Sequence, residues 1–201
     1  MTPLSNIIFE NTIHTHIILR DMIYEDIFDY IKWFTKEVEW MNWDAPWEKD
    51  IEIDEKTLFQ RFLTRYNHLK EITGVRKRFE IVLQDDEQTH IGWVSSYMID
   101  DQFNYNIHGK NIAIGIDIPH PQYRGFGYGY EALNAFIKYL HQHKYGPIYL
   151  QTWSGNIPMI ELAKKIGFIE IIRISNLRTI NHKPYDALTF ELTEQIIEET
   201  L

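Results

Sequence analysis

The stretch that decides the fold reads Gln122-Tyr123-Arg124-Gly125-Phe126-Gly127-Tyr128-Gly129, and it lies between a strand-like segment and a long helical segment. Glycine lets the backbone approach a ligand closely and adopt dihedral angles that other residues avoid. The first N–H groups of a helix have no intrahelical partner, and the helix dipole favours an anion beside them. The stretch therefore predicts a phosphate-binding loop, although a glycine-rich turn can also serve only as a tight corner between strand and helix.

Two common phosphate-binding loops do not fit this spacing. A dinucleotide-binding turn needs G-x-G-x-x-G directly after a strand and an acidic residue further on. Here the third glycine comes one residue early, and Tyr149–Gln151 contains no acid. A nucleotide-triphosphate loop needs Gly-Lys-Ser/Thr, which does not occur here. The pattern that remains is Gln122-x-x-Gly125-x-Gly127.

Apolar periodicity outside the loop predicts an α/β (α+β) fold. Asp21 is expected to cap the first helix. The element order indicates a mixed, mostly antiparallel central sheet flanked by helices, with one parallel crossover through the helix after the glycines. Strands are predicted over 16–20, 79–83, 90–99, 111–118, 147–152, 168–175 and 185–192, and helices over 21–34, 54–66, 129–143 and 156–166.

The glycine pattern resembles the pyrophosphate loop of the GCN5-related N-acetyltransferase (GNAT) superfamily, which binds acetyl-CoA. A second stretch, Asn156-Ile157-Pro158-Met159 followed by Lys165-Ile166-Gly167-Phe168, is similar to the superfamily's second motif. Leu19-Arg20 and the helix after them look like the ribosomal-protein and aminoglycoside acetyltransferase branches. The resemblance implies one domain over 1–201, with acceptor-side helices in 16–75, an acetyl-CoA-binding core in 79–175 and a closing strand and tail in 176–201.

The resemblance also implies the donor site. In the superfamily the strand before the loop is bulged and splays from the next strand, and the arm of the cofactor lies in the opening. A backbone N–H of that strand polarises the thioester carbonyl, which here assigns Ile116. The expected acetyl-CoA contacts are Ile116, Ile118, Gln122, Tyr123, Arg124, Gly125, Phe126, Gly127, Tyr128, Gly129 and Asn156.

The strand over 111–118 separates by parity into an isoleucine face and a face of Asn111, Ala113, Gly115 and Asp117. We expect the second face to line a channel. Many superfamily members carry a glutamate base where this chain has Ala113, and a tyrosine acid where it has Ala163. Asp117 is the nearest substitute carboxylate, so we expect it to act as base or amine anchor, although it can also be an exposed acid at the end of the strand.

The segment Glu39–Glu48 is rich in tryptophan and carboxylates. Aromatic faces attract ammonium groups, and carboxylates pair with them. We therefore expect a site for the amine substrate here, although the same tryptophans can form a cap packed on the core. The candidate substrate residues are Trp40, Trp43, Asp44, Trp47 and Glu48.

Composition narrows the class of protein. The 201 residues carry 20 basic and 29 acidic side chains, a net charge of −9 that argues against nucleic-acid binding. Absence of cysteine excludes disulfides and thiol nucleophiles, and no metal site is expected. No apolar run approaches a membrane span and no leader pattern is seen, so we expect a cytoplasmic protein without membrane contact.

The leading hypothesis is an N-acetyltransferase in which a primary amine of a small molecule or a peptide N-terminus attacks acetyl-CoA directly in a ternary complex. An aminoglycoside-type acetyltransferase is the alternative within enzymes. A non-catalytic acyl-CoA-binding module is the alternative from another class, since Ala113 and Ala163 replace the usual acid and base. A homodimer is left open.

Overall fold

The computed structural model describes residues 6–7, 16–47, 49, 53–85 and 87–193. The strands are β1 Asn6–Ile7, β2 Ile17–Arg20, β3 Arg78–Leu83, β4 His90–Ile99, β5 Asn111–Asp117, β6 Ile148–Trp153, β7 Ile169–Ile180 and β8 Lys183–Leu192. The helices are α1 Asp26–Thr35, α2 Glu55–Leu69, α3 Tyr128–Gln142 and α4 Ile157–Ile166. In this part of the chain, no helix is long and apolar enough to cross a membrane.

The strands form one mixed sheet in the order β1-β2-β3-β4-β5-β6-β8-β7. Antiparallel pairing joins β1 to β2, β2 to β3, β6 to β8 and β8 to β7. β5 and β6, which are connected through α3, run parallel. The predicted fold class, a mostly antiparallel sheet with a parallel crossover, is therefore confirmed.

The chain divides into two compact units, the first formed by 1–94 and 116–132 and the second by 95–115 and 133–201. The core of the first unit is largely aromatic: Tyr30 on α1 stacks on Phe62 of α2 with ring centroids 4.2 Å apart. The same cluster contains Trp33, Trp40 and Trp93 together with Met22, Ile27 and Leu58. In the second unit, β6 pairs with β8 along its whole length. A single acetyltransferase domain over 1–201 stays a prediction.

The start of α1 differs from the expectation that Asp21 caps it. The helix begins at Asp26, whose carboxylate accepts the N–H of Ile23 at 2.8 Å and two hydrogen bonds from Arg20 at 2.6 and 2.7 Å. Asp21 is instead buried against Arg76, which donates to it at 3.0 Å. Both acids pair with arginines, the buried Arg20 and the partly buried Arg76, and these tertiary contacts outweigh the local capping preference.

The predicted divergence of β5 from β6 is confirmed. Their parallel register covers three pairs, from Ile112↔Ile148 to Ile114↔Leu150, although β5 continues to Asp117 and β6 to Trp153. The predicted channel face is wrong at Ala113, which is fully buried with Ile99 and Tyr149. Gly115 and Asp117 on the same face are partly exposed.

Candidate active site

The loop between β5 and α3 uses the N–H groups of its first half in internal hydrogen bonds, which leaves those of its second half for a ligand. Pro121–Tyr123 forms a short 3-10 turn, in which the N–H of Gln122 donates to the His120 imidazole and that of Tyr123 to the His120 carbonyl. The N–H of Arg124 donates to the Pro121 carbonyl at 3.1 Å. Gln122, Tyr123 and Arg124 were expected among the cofactor contacts. Their N–H groups are used inside the turn, and those at the start of α3 are the natural anion donors.

Two glycines of the loop are required by the backbone. Gly125 has φ +85° and Gly127 has φ +92°, the left-handed region that side chains with a Cβ avoid. A Cβ built at either position would meet no heavy atom within 4 Å. Conformation, not crowding by the protein itself, therefore requires glycine at both positions, and the space above the loop is open to a ligand.

Arg124 ties the loop to its surroundings. Its guanidinium donates to the carbonyls of Ile118 at 2.8 Å and Pro119 at 2.5 Å, and to the Glu39 carboxylate at 2.7 Å. A guanidinium held in this way orients the loop relative to the end of β5 and the 3-10 segment Val38–Asn42. The Arg124 side chain therefore has a positioning role within the protein, and the expected contact of Arg124 with the cofactor stays a prediction.

Asp117 ends β5 and is the carboxylate nearest to the loop along the chain. The indole of Trp93 donates a hydrogen bond to it. Burial and the negative charge of Asp44 raise the pKa of Asp117 well above its ordinary value, and the positive charges of Arg78 and Arg124 offset this only in part. A carboxylate with a raised pKa is suited to accept and hold a proton near neutral pH.

The backbone of Asp117 depends on a glycine that sequence reasoning missed. A Cβ built on Gly92 of β4 would lie 2.0 Å from the Asp117 carbonyl oxygen. The end of β5 can therefore approach β4 only because position 92 lacks a side chain. A glycine inside a strand is the signal that could have identified this close approach.

Arg78, at the start of β3, is the second residue that sequence reasoning missed. Its guanidinium carbon lies 4.6 Å from the Trp93 ring centroid and 5.2 Å from that of Tyr30, and it donates to the Tyr30 hydroxyl. Tyr30 in turn donates to Glu80 at 2.5 Å. Arg78 therefore connects the surroundings of Asp117 to a buried polar group. We call the whole set the Arg78 cluster; its members are Tyr30, Arg78, Glu80, His90 and Asp117.

His90 and Glu80 are the buried ion pair of this cluster. The His90 ring lies 3.1 Å from Glu80 and 3.0 Å from Asp29. Burial alone lowers the pKa of His90, but hydrogen bonds to Asp29 and Glu80 and the charges of Glu80 and Asp26 raise it to about 9. Burial raises the pKa of Glu80, yet the charge of Arg78 and the His90 contact lower it to about 2.

Asp26, Asp29 and His90 lie close enough together to hold a metal ion. Asp26 already accepts both hydrogen bonds from Arg20, and a protonated imidazole has no lone pair for a metal. The group is best described as an ion-pair network that includes the partly exposed Asp29.

The aromatic segment divides into buried and exposed parts. Trp40 is buried, donates to the Trp33 carbonyl at 3.0 Å and packs edge-on against Trp93, so it is part of the core. Trp43 and Trp47 are exposed by 38% and 40%, which leaves ring surface for a substrate. Asp44 is exposed and acts electrostatically on Asp117, whereas Glu48 lies outside the described residues.

In the second unit, Asn156 has a clear structural role. Its Oδ1 caps α4 by accepting the Met159 N–H at 3.2 Å. The helix ends at Ile166, as predicted, and Gly167 follows it in the left-handed conformation. The expected contact of Asn156 with the pantetheine arm stays a prediction. Ala163, which takes the place of the usual tyrosine, is fully buried in α4.

Comparisons with known proteins agree with this geometry. A family model described as "Acetyltransferase (GNAT) domain" matches residues 16–169. The comparison with curated proteins found no match. Among solved structures, a GNAT-family acetyltransferase from Bacillus anthracis is 18% identical with a TM-score of 0.66, over 90% of this chain and 96% of that chain.

Two further structures have similar folds and belong to proteins named for their activities. RimL, a ribosomal L7/L12 alpha-N-protein acetyltransferase in complex with coenzyme A, is 14% identical with a TM-score of 0.69, over 90% of this chain and 96% of that chain. A spermidine N-acetyltransferase from Vibrio cholerae, in complex with CoA and spermine, is 16% identical with a TM-score of 0.67, over 92% and 99%. At such identities, these likenesses show the fold alone.

Proposed function

The chain belongs to the GNAT acetyltransferase family, and we propose that it transfers an acetyl group from acetyl-CoA to a primary amine of a small molecule or of a peptide N-terminus. Membership confirms the expected enzyme class, an acyltransferase with acetyl-CoA as donor substrate. The observation that carries the proposed reaction is the Asp117 carboxylate. It has a raised pKa, accepts a hydrogen bond from Trp93 and ends the strand that leads into the glycine loop.

The loop suits the pyrophosphate of the donor. Its two left-handed glycines and the open space above them fit a ligand that is held by backbone N–H groups. We assign this contact to Gly125, Phe126, Gly127, Tyr128 and Gly129. The donor supplies a thioester, whose carbonyl the N–H of Ile116 would polarise, an effect of about 3 kcal/mol for one such hydrogen bond.

The acceptor amine would lie near Asp117 and the carboxylate of Asp44. Asp44 and the exposed ring surfaces of Trp43 and Trp47 attract a cation, which raises the local concentration of the ammonium form. Asp117 takes a proton from that ammonium, and the free amine attacks the thioester carbonyl carbon. The C–S bond breaks with its electron pair on sulfur, and the proton lost by the attacking nitrogen passes to water.

The two alanines bear on this assignment. An alanine side chain carries no titratable group, so neither Ala113 nor Ala163, both fully buried, offers a proton donor or acceptor. Asp117 therefore carries the base role alone, and the thiolate leaves without a side-chain acid, which its own low basicity permits. The same two alanines are the observation that favours the alternative, an acyl-CoA-binding module without turnover.

The class of amine is open between small molecules, peptide N-termini and aminoglycosides. The net charge of −9 and the acid in the aromatic segment support a cationic acceptor in every case. A homodimer and a cytoplasmic location remain proposals of the same kind.

The experiment that tests the function is an acceptor panel with detection of released thiol. It includes polyamines, amino-terminal peptides and aminoglycosides, with acetyl-CoA as donor. We expect turnover of at least one amine and its loss in Asp117→Asn. Binding of CoA by calorimetry without turnover of any amine would favour the non-catalytic module. Absence of CoA binding would overturn the proposed donor site.

A further inference from the structure

Strand β7 carries an apolar surface that the proposed reaction does not use. Within the described ranges, it is the outermost strand of the sheet and pairs with β8 alone. Four of its twelve residues are exposed large aliphatic side chains, namely Ile169, Ile171, Ile174 and Leu177. An apolar patch on a long edge strand marks a contact surface, because such an edge is otherwise an aggregation hazard.

The pairing of β7 with β8 places three isoleucines on one face of the hairpin. The register pairs them with alternate residues of β8: Ile169↔Glu191, Ile172↔Thr189 and Ile174↔Ala187. Alternate residues of a strand point to the same face, so these three side chains share it. The spacing from Ile169 to Ile172 is odd, which a bulge between Glu170 and Ile172 corrects. We call these three isoleucines the β7 apolar face.

The opposite face of the hairpin carries charges that are paired within the chain. Arg173 donates two hydrogen bonds to Glu170 and one to Asp186, all at 2.8 Å. Because these ion pairs are complete without an outside partner, the β7 apolar face is the side of the hairpin that is suited to contact another molecule.

Charge is balanced along the hairpin, in contrast to the chain as a whole. Residues 169–192 contain three acids and three bases, a net charge of zero with histidine neutral, whereas the whole chain carries −9. Two copies of such a chain repel one another at long range, and the repulsion is weakest where the local charge is zero. The hairpin is therefore a surface at which a second copy can approach.

The two ends of the β7 apolar face carry opposite charges. Glu191 pairs with Ile169 at one end, and Arg178 pairs with Tyr185 at the other. Glu191 also accepts a hydrogen bond from the Tyr149 hydroxyl at 3.1 Å, which holds it in place. A two-fold axis through the middle of the face brings each Glu191 to the Arg178 of the other copy, so the surface is complementary to itself.

We propose that the β7 apolar face binds a second copy of this chain, so that two hairpins pack face to face and antiparallel around a two-fold axis. Twelve residues of strand span about 40 Å, and a surface of that length and two strands wide is at the small end of specific interfaces. We therefore expect a dimer with a dissociation constant of about 1–100 µM. The proposal concerns assembly alone and does not depend on acetyl transfer.

The matched pair for the test is Ile174→Glu and Ile157→Glu, measured by sedimentation equilibrium up to about 200 µM, above the expected dissociation constant. Ile174 is 51% exposed and Ile157, at the start of α4, is 56% exposed, so the same charge enters at two similarly exposed positions of the second unit. Ile174→Glu places two carboxylates close together at the axis and should raise the dissociation constant about 100-fold or more. Ile157→Glu should stay within about threefold of the wild type, because its charge remains in solvent.

A second variant at the end of the face guards against misfolding. Circular dichroism checks that each variant is folded, and Ile169→Lys, which places a cation against Arg178 of the other copy, should weaken the dimer about tenfold. A wild type that stays monomeric at the highest concentration would overturn the second copy as the occupant and leave the face to a different protein. A dimer that Ile169→Lys leaves intact, or that Ile157→Glu weakens as much as Ile174→Glu does, would also overturn the proposal.

Reversal of the end charges tests the antiparallel arrangement. Arg178→Glu sets acid against acid at both ends of the interface and should weaken the dimer about tenfold. The double variant Arg178→Glu/Glu191→Arg restores opposite charges and should recover most of the affinity, whereas Glu191→Arg alone should not. An unrelated contact surface would not respond to this exchange. Failure of the double variant to bind more tightly than both single variants would overturn the two-fold arrangement.

Discussion

The glycine loop and the Arg78 cluster lie in the same unit of the protein but are built on opposite principles. The loop offers backbone N–H groups, and its glycines carry positive φ with no heavy atom near a built Cβ. The cluster offers side chains, held by hydrogen bonds and rings from α1, β3, β4 and β5. One depends on conformation and the other on the pairing of charges.

The difference determines how each region responds to change. A backbone site tolerates most changes of side-chain chemistry but not a residue that alters φ. A charge cluster tolerates no unpaired member, because each buried charge is stabilised by the others. Substitutions in the loop should therefore affect the donor alone, whereas substitutions in the cluster should alter pH dependence and stability together.

The largest expected effect is in the loop. Gly127→Val places a β-branched residue at φ +92° and should displace several N–H groups from the pyrophosphate. The loss of two charge-assisted contacts corresponds to about 100-fold or more in acetyl-CoA affinity, measured by calorimetry. Gly74→Ala is the control, because position 74 also has open space but no positive φ. Normal binding by Gly127→Val would remove the loop from the donor site.

A large catalytic effect is expected at Asp117. Asp117→Asn cannot accept a proton, so kcat should fall by about 100-fold while the KM for the amine changes little. In the wild type, activity should fall as the pH drops through the raised pKa of Asp117, because the protonated carboxyl is no longer a base. The variant should lack this acidic limb. An unchanged pH profile would place the base elsewhere.

A substitution at His90 tests whether the charges of the Arg78 cluster contribute to the free energy of unfolding. Its pKa in the folded state is about 9 and its ordinary value is 6.5, so the contribution is complete below about pH 6.5 and is lost as the pH rises through about 9. At most about 3 kcal/mol of unfolding free energy is at stake. His90→Gln should flatten this slope in urea unfolding, whereas His108→Gln, at an exposed position, should retain it.

The same contrast explains what the sequence could predict. Gln122, Gly125 and Gly127 lie within six residues, so the loop and the family were accessible from a local pattern, as were the capping of α4 and the crossover through α3. The Arg78 cluster was not, because its members are separated by up to 87 positions, from Tyr30 to Asp117, and no spacing encodes their meeting.

Two charged side chains illustrate the same limit. Asp21 looked like a helix cap but is buried against Arg76. The Arg124 side chain is held by Ile118, Pro119 and Glu39, and the expected contact of Arg124 with the cofactor stays a prediction. In each case a distant partner decided the role of a charged side chain, and propensity or motif position alone contains no information about that partner.

The smallest effect is expected at Asp44, where the comparison between the two regions can be sharpened. Asp44 is exposed, so Asp44→Asn should weaken an amine acceptor only about 3- to 10-fold, and less at high salt. The charge of Asp44 raises the pKa of Asp117, so its removal should also move the acidic limb of the kcat/KM profile to lower pH. Affinity for acetyl-CoA should stay unchanged, because the loop relies on N–H groups.

The control is Glu25→Gln, which removes the same charge from another exposed position of the first unit. It should change neither the acceptor affinity nor the pH profile. If both variants weaken the acceptor equally, the effect of Asp44 is one of net charge, and the aromatic segment does not form the amine site.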